Sequence, residues 1–170
     1  GAAAIQLAKA AGARVITTVG SQEKADRARE LGADVAINYK QQDFAAEVRK
    51  LTDGKGVDVI IENVASDNLA ADCSCIATSG RIVLIGTGTG KAPNATFGVL
   101  PALLKDLTFY GMSLLSADAV IPDMAAAMTP DFAAGKLKPI VSKSYPLQEA
   151  AQALHDLLAG KVFSKLVLIP

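Results

Sequence analysis

Residues 14–39, RVITTVGSQEKADRARELGADVAINY, constrain the fold more than any other stretch of this chain. Val15, Ile16, Thr17, Thr18 and Val19 are β-branched and run into Gly20, which suits a short buried strand. Ser21 has the chemistry of a helix N-cap, with Glu23 and Lys24 in the first turn behind it. Ala25, Ala28 and Leu31 recur at helical spacing, and Gly32 stands where a left-handed C-cap is expected. Val35, Ala36 and Ile37 then restart an apolar run that closes on Asn38-Tyr39.

The alternation of strand and helix continues along the chain. AAAIQLAKAAG opens it as a helix with Ile5, Leu7, Ala8 and Ala11 as apolar positions and Gly12 as its stop. Asp43 caps a helix over 44–51 that buries Phe44, Val48 and Leu51, and Asp53-Gly54-Lys55-Gly56 is a turn cluster. Residues 57–61 read as a strand covered on both faces. Ser66 starts a helix over 67–77 that Ser79-Gly80 ends, with one of Cys73 and Cys75 in the core and the other partly exposed. A strand at 81–85 leads into Gly86-Thr87-Gly88-Thr89-Gly90. Residues 97–105 are apolar at helical spacing, and 107–115 form a last sheet strand whose Tyr110 packs in the core. A helix over 119–134 stops at Gly135; a segment at 140–145, a helix over 148–159 and a strand over 163–169 follow. This pattern implies an α/β fold, a parallel sheet with helices on both faces.

Composition narrows the class. A chain of 170 residues is a single-domain length, and 17 basic side chains balance 17 acidic ones, which argues against a nucleic-acid or anionic-membrane partner. No apolar run approaches the ~20 residues of a membrane span, and no signal peptide is visible. Two cysteines suit a reducing cytosol. Their Cys-Ser-Cys spacing lacks partners for a metal site, because the sole histidine, His155, is distant. His155 also has no visible acid partner or nucleophile, so it reads as a surface or structural residue.

The chemistry lies in the loops at the strand ends. A dinucleotide fold selective for NAD places an acid after its second strand, to bind the ribose 2′-hydroxyl. Here that place reads Val19-Gly20-Ser21, with no carboxylate until Glu23. Lys24 and the free N–H groups of the helix can face one spot, an arrangement that attracts a 2′-phosphate. The same residues equally fit a simple cap and a solvated lysine. Asn63, at the end of the 57–61 strand, is a candidate polar contact to a cofactor's ribose or adenosine, or an asparagine placed there because it turns well. Gly86, Gly88 and Gly90 alternate after a strand and let a ligand approach the main chain; Gly90-Lys91 lacks the ending of a Walker motif.

GSQEK followed by GADVAINY resembles the cofactor-discriminating segment of the medium-chain dehydrogenase/reductase superfamily, in its zinc-free quinone oxidoreductase branch. The similarity continues through GAAAIQLAKAAGARV, GVDVIIENV, GRIVLIG and GKLKPIVSKSYPLQEAAQAL, and so covers nearly the whole chain. The resemblance implies a Rossmann-type doubly wound parallel sheet that binds NADPH. It assigns Ser21, Lys24 and Tyr39, with Gly20, to the 2′-phosphate, and Asn63 to the adenosine or ribose. Gly86 and Gly88 are assigned to the nicotinamide ribose, and Gly111, Met112 and Ser113 to the nicotinamide carboxamide. Gly1 matches the last glycine of the phosphate-binding turn, whose first strand and earlier glycines precede this sequence in relatives, as does a catalytic domain.

The expected organisation is an incomplete NADP-binding domain over 1–137 and a return segment towards the catalytic domain over 138–170. Without the central strand, the neighbouring strands at 14–19 and 57–62 are expected to leave a slot or to close on each other. The implied activity is hydride transfer from the nicotinamide to a quinone or an activated alkene, with no catalytic residue in this chain. The implied partners are a small-molecule electron acceptor and a second copy of the chain, paired through the edge strand at 107–115, in the cytoplasm. A zinc-dependent alcohol dehydrogenase of the same superfamily and a non-catalytic nucleotide-sensing module remain as alternatives.

Overall fold

A computed structural model describes residues 1–88, 94–160 and 162–170. The chain forms two compact units, one of residues 1–38 with 125–170 and one of residues 39–124.

In the first unit, helix α1 (Ala2–Ala10) leads to strand β1 (Ile16–Val19), helix α2 (Gln22–Glu30) and strand β2 (Val35–Asn38). β1 and β2 pair in parallel from Ile16–Val35 to Val19–Asn38. Ile5, Val15, Val19, Ala25, Ala28, Ala33 and Ala36 form the core between them, with Ala8 and Leu31 packed on it. The small alanines bring α2 close to the strands, and Leu7 faces outward instead. Gly32 ends α2 at φ +103°, a left-handed conformation that L side chains rarely adopt, and a Cβ there would also meet Lys9. Asp34 then accepts from the Val15 amide at 2.6 Å and from Lys9 at 3.0 Å, which holds its carboxyl below the usual range.

The same unit contains strand β6 (Val141–Pro146), helix α7 (Ala150–Leu158) and strand β7 (Lys165–Ile169). β6 and β7 pair in parallel, so the last strand finds a partner within this chain, contrary to expectation. Gln6 holds the main chain of Lys138, donating to its carbonyl at 3.0 Å and accepting from its amide at 2.8 Å. Tyr145 is buried, and its hydroxyl donates to Asp156 at 2.6 Å.

In the second unit, Asp43 caps helix α3 (Phe44–Leu51) by accepting from the Ala45 and Ala46 amides. Strand β3 (Val57–Glu62), helix α4 (Ala65–Cys75), strand β4 (Ile76–Leu84), helix α5 (Val99–Leu104) and strand β5 (Thr108–Gly111) follow. The sheet order is β3-β4-β5, all parallel. Helix α6 (Ile121–Ala133) begins in this unit and continues into the segment 125–170 of the first; it carries Pro130 inside it and is stopped by Gly135 at φ +71°.

Five local expectations are corrected in this unit. Val59 and Ile61 are exposed, so one face of β3 is uncovered. α4 ends at Cys75, because Ile76 already pairs with Val57, and Ser79-Gly80 lies in an irregular part of β4. Cys73 and Cys75 are both buried and both free thiols. Tyr110 is exposed, since strand alternation sends Phe109 onto the cluster of Leu69, Cys73, Ile76 and Ile82 and its neighbour outward. β5 ends at Gly111, and Leu114–Ser116 form a 3-10 turn rather than more strand. Among the described residues, β1 and β3 belong to different sheets and do not pair with one another.

Candidate functional site

In the first unit Gly20, Ser21 and Lys24 gather at the N-terminus of α2. Ser21 is extended, its Oγ accepts from the Lys24 amide at 3.2 Å, and its carbonyl accepts from the Ala25 amide at 3.1 Å. Helix geometry leaves the Gln22 and Glu23 amides without an acceptor in the helix itself. Those amides and the helix dipole favour negative charge beside Gly20-Ser21. Lys24 adds a cation in the same turn, and its Nζ donates to the Gly160 carbonyl at 2.7 Å. One turn further on, the Arg27 guanidinium lies over the Phe163 ring at 4.7 Å. Because Val19 pairs with Asn38, β1 and β2 release their chains at the same edge. Tyr39, the first residue of the second unit, follows directly on Asn38 and is 54% exposed. Gly1 lies beside α1, and a Cβ there would meet open space.

In the second unit six candidates lie at or just past the C-terminal ends of β3, β4 and β5. The chain leaving β4 is tied to the chain leaving β3: Ile85 N–H donates to Glu62 O at 2.9 Å, Ala65 N–H to Gly86 O at 3.3 Å, and Ser66 N–H to Thr87 O at 3.0 Å. Val64 and Thr87 form an antiparallel bridge. This lacing is why glycine is needed. A Cβ at Gly86 would run into the Asn63 carbonyl, and one at Gly88, where φ is +107°, into Ser66 Oγ. Asn63 itself is exposed. On the neighbouring strand Gly111 pairs with Leu84, and the Met112 amide donates to the Leu84 carbonyl at 3.0 Å. Ser113 Oγ accepts from the Leu115 amide at 3.2 Å, starting the turn that ends the strand. Thr89, Gly90 and Lys91 of the expected glycine loop lie outside the described residues.

Two functional-site neighbours escaped the sequence reading. Glu62, the last residue of β3, is 6% exposed, and Asp72 of α4 is 2% exposed. Glu62 Oε1 accepts from the Val64 amide, and Oε2 accepts from Asn68 Nδ2 at 3.3 Å. Burial, the neighbouring Glu62 charge and a hydrogen bond to it push the Asp72 carboxyl up to about 8. The signal was an acid at an apolar spacing, between Leu69 and Cys73 on one face of α4. His155 is exposed as expected, but it does have an acid neighbour, with Nδ1 3.6 Å from Asp156 Oδ1.

Residues 1–129 match the family described as zinc-binding dehydrogenase. A 2-haloacrylate reductase from Burkholderia is 34% identical over 169 residues, covering 94% of this chain and 49% of the relative. Human quinone oxidoreductase is 28% identical, covering 99% of this chain and 51% of its own. The crystal structure of Escherichia coli quinone oxidoreductase complexed with NADPH superposes with a TM-score of 0.87 at 28% identity, covering all of this chain and 53% of that one. The chain thus spans about half the length of the relatives it matches. With a family match over residues 1–129 and homologues that cover nearly all of the chain, it belongs to the zinc-binding dehydrogenase family of the medium-chain dehydrogenase/reductase superfamily, as the C-terminal portion of its quinone oxidoreductase-like branch.

Proposed function

We propose that this chain is the nucleotide-binding part of an NADPH-dependent oxidoreductase, whose intact form transfers hydride to a quinone or to an activated alkene such as a 2-haloacrylate. The observation that carries the reading is the Ser21-capped N-terminus of α2, with Lys24 in its first turn and no acid at Gly20-Ser21. Two amides without a helical acceptor and an ammonium suit the doubly charged 2′-phosphate that distinguishes NADPH from NADH. The Escherichia coli quinone oxidoreductase that superposes on this chain is complexed with the same cofactor.

The chain's own residues then divide the work of binding. Gly20, Ser21 and Lys24 hold the phosphate, and the exposed Tyr39 phenol donates to it. Asn63 takes the ribose or adenosine. Gly86 and Gly88 keep the loop beside the nicotinamide ribose low, and the main chain at Gly111, Met112 and Ser113 orients the carboxamide. Gly1 begins the helix that follows the phosphate-binding turn. The bound nicotinamide supplies the hydride. No side chain of this chain is assigned acid, base or nucleophile. The free edge of β5 (Thr108–Gly111), with the residues that follow it to 115, is the surface we assign to a second copy, because an unpaired strand edge recruits a partner. The free thiols of Cys73 and Cys75 fit a cytoplasmic protein.

Titrating NADPH and NADH against the protein, followed by nicotinamide fluorescence, tests the binding reading. Tighter binding of NADPH supports it; equal affinity, or preference for NADH, contradicts it. Oxidation of NADPH by the intact enzyme with a quinone and with a 2-haloacrylate tests the activity, and light scattering tests the dimer.

A further inference from the structure

The Glu62–Asp72 pair is a buried group that the proposed chemistry does not use, yet Glu62 bonds the turn that is laced to the loop proposed to hold the cofactor. Glu62 ends β3, and its carbonyl accepts from the Ile85 amide. Its carboxylate is turned back onto the next turn of chain, accepting from the Val64 amide and from Asn68. Val64, Ala65 and Ser66 are the residues laced to Gly86 and Thr87. Asp72 of α4 is 2% exposed and its carboxyl is in hydrogen-bonding contact with that of Glu62, while its buried Oδ2 has no donor among the described residues. Two ionised carboxylates in such a place repel, and an ionised Asp72 leaves a charged oxygen buried and unpaired. A neutral Asp72 acid removes both problems and donates its proton to Glu62.

We propose that Asp72 is a positioning residue: with Glu62 it shares one buried proton that fixes the Asn63–Ser66 turn, and through that turn the Gly86–Gly88 loop. This deepens the cofactor-binding reading above and rests on it only for the consequence at the ligand. Loss of the proton at alkaline pH loosens the loop, so nucleotide binding weakens there.

Two basic side chains face the same stretch of α4: Lys105, after α5, donates to the Cys73, Ser74 and Ile76 carbonyls, and Arg49 of α3 bonds Ser74. Burial, with Asp72's charge adding to it, pushes the Cys73 thiol up and the Cys75 thiol up to about 11. Asp72 is the carboxyl of this group that burial and the Glu62 charge raise to about 8.

Hydrogen-exchange protection of the Val64, Ala65 and Ser66 amides, measured from about pH 6 to 10 and corrected for intrinsic exchange, reads the proposal without any ligand. In the wild type, protection falls severalfold with a midpoint near the carboxyl titration seen by carbon NMR, at about pH 8. Asp72→Asn keeps a neutral donor and holds protection flat across the range. Glu62→Gln removes the repelling charge and moves the carboxyl midpoint to lower pH. Protection that is flat in the wild type, or that falls identically in Asp72→Asn, overturns the proposal. NADPH titrations on the same samples separate the two claims. Failure to bind at every pH sinks the cofactor reading while the exchange data still decide the shared proton. Binding that weakens above about pH 8 in the wild type and not in Asp72→Asn supports both.

Discussion

Lys105 Nζ lies 2.8 Å from the carbonyl oxygen of Ile76, where α4 hands over to β4. The same ammonium also donates to the Cys73 and Ser74 carbonyls, 3.0 and 3.3 Å away. It thus terminates a helix that has no glycine cap and no basic residue in its last turn. Lys105→Met retains the apolar stem and removes the donor. The expected loss is about 1.5–3 kcal/mol, as for hydrogen bonds to a charged group. Urea unfolding should show a lower midpoint at unchanged slope.

Gly86 offers a sharper test of the loop. An alanine Cβ there meets the Asn63 carbonyl, which is held in the lacing between the β3 and β4 ends. Gly86→Ala should lower stability by about 1–3 kcal/mol, the usual range for overpacking, and weaken nucleotide binding. Gly54→Ala is the informative contrast. Its Cβ meets open space, but its φ of +82° makes it strained, so it should lower stability and leave nucleotide affinity unchanged.

The pH dependence of stability follows from Asp72. The folded chain retains a proton up to about pH 8 that the unfolded chain, near its ordinary 3.8, has released. Between those values the native state binds more protons, so stability falls as pH rises through the window and levels off above it. Asp72→Asn should flatten that part of the profile in denaturant titrations at a series of pH values. A profile with unchanged slope contradicts the assignment.

Local chemistry was legible in the sequence, and long-range packing was not. The caps Ser21 and Asp43 and the stops Gly12, Gly32 and Gly135 act within a few residues of themselves, and all appear where their chemistry places them. The parallel α/β pattern followed from periodicity alone. What escaped depends on which face a neighbour covers. Cys75 is buried although Cys73 already occupies the core, Tyr110 is exposed although aromatic, and β7 pairs with β6 although α7 separates them along the chain. The Glu62–Asp72 contact is likewise a meeting of β3 with α4, and neither acid announces the other. At the proposed site, Ser21 and Lys24 were readable as one turn of helix, and the Gly86–Gly88 loop as a glycine alternation. Lys24's contact with Gly160 was not, because it joins residues 136 apart.

The central claim is that the turn holding Ser21 and Lys24 selects the 2′-phosphate, and Lys24→Ala tests it most directly. Fluorescence titrations of NADPH and NADH against wild type and variant give a dissociation constant for each pairing. The account predicts that NADPH binding weakens by roughly 1.5–3 kcal/mol, the range for a charge-assisted hydrogen bond, while NADH binding is nearly unchanged. Equal weakening of both, or no change in either, would contradict it.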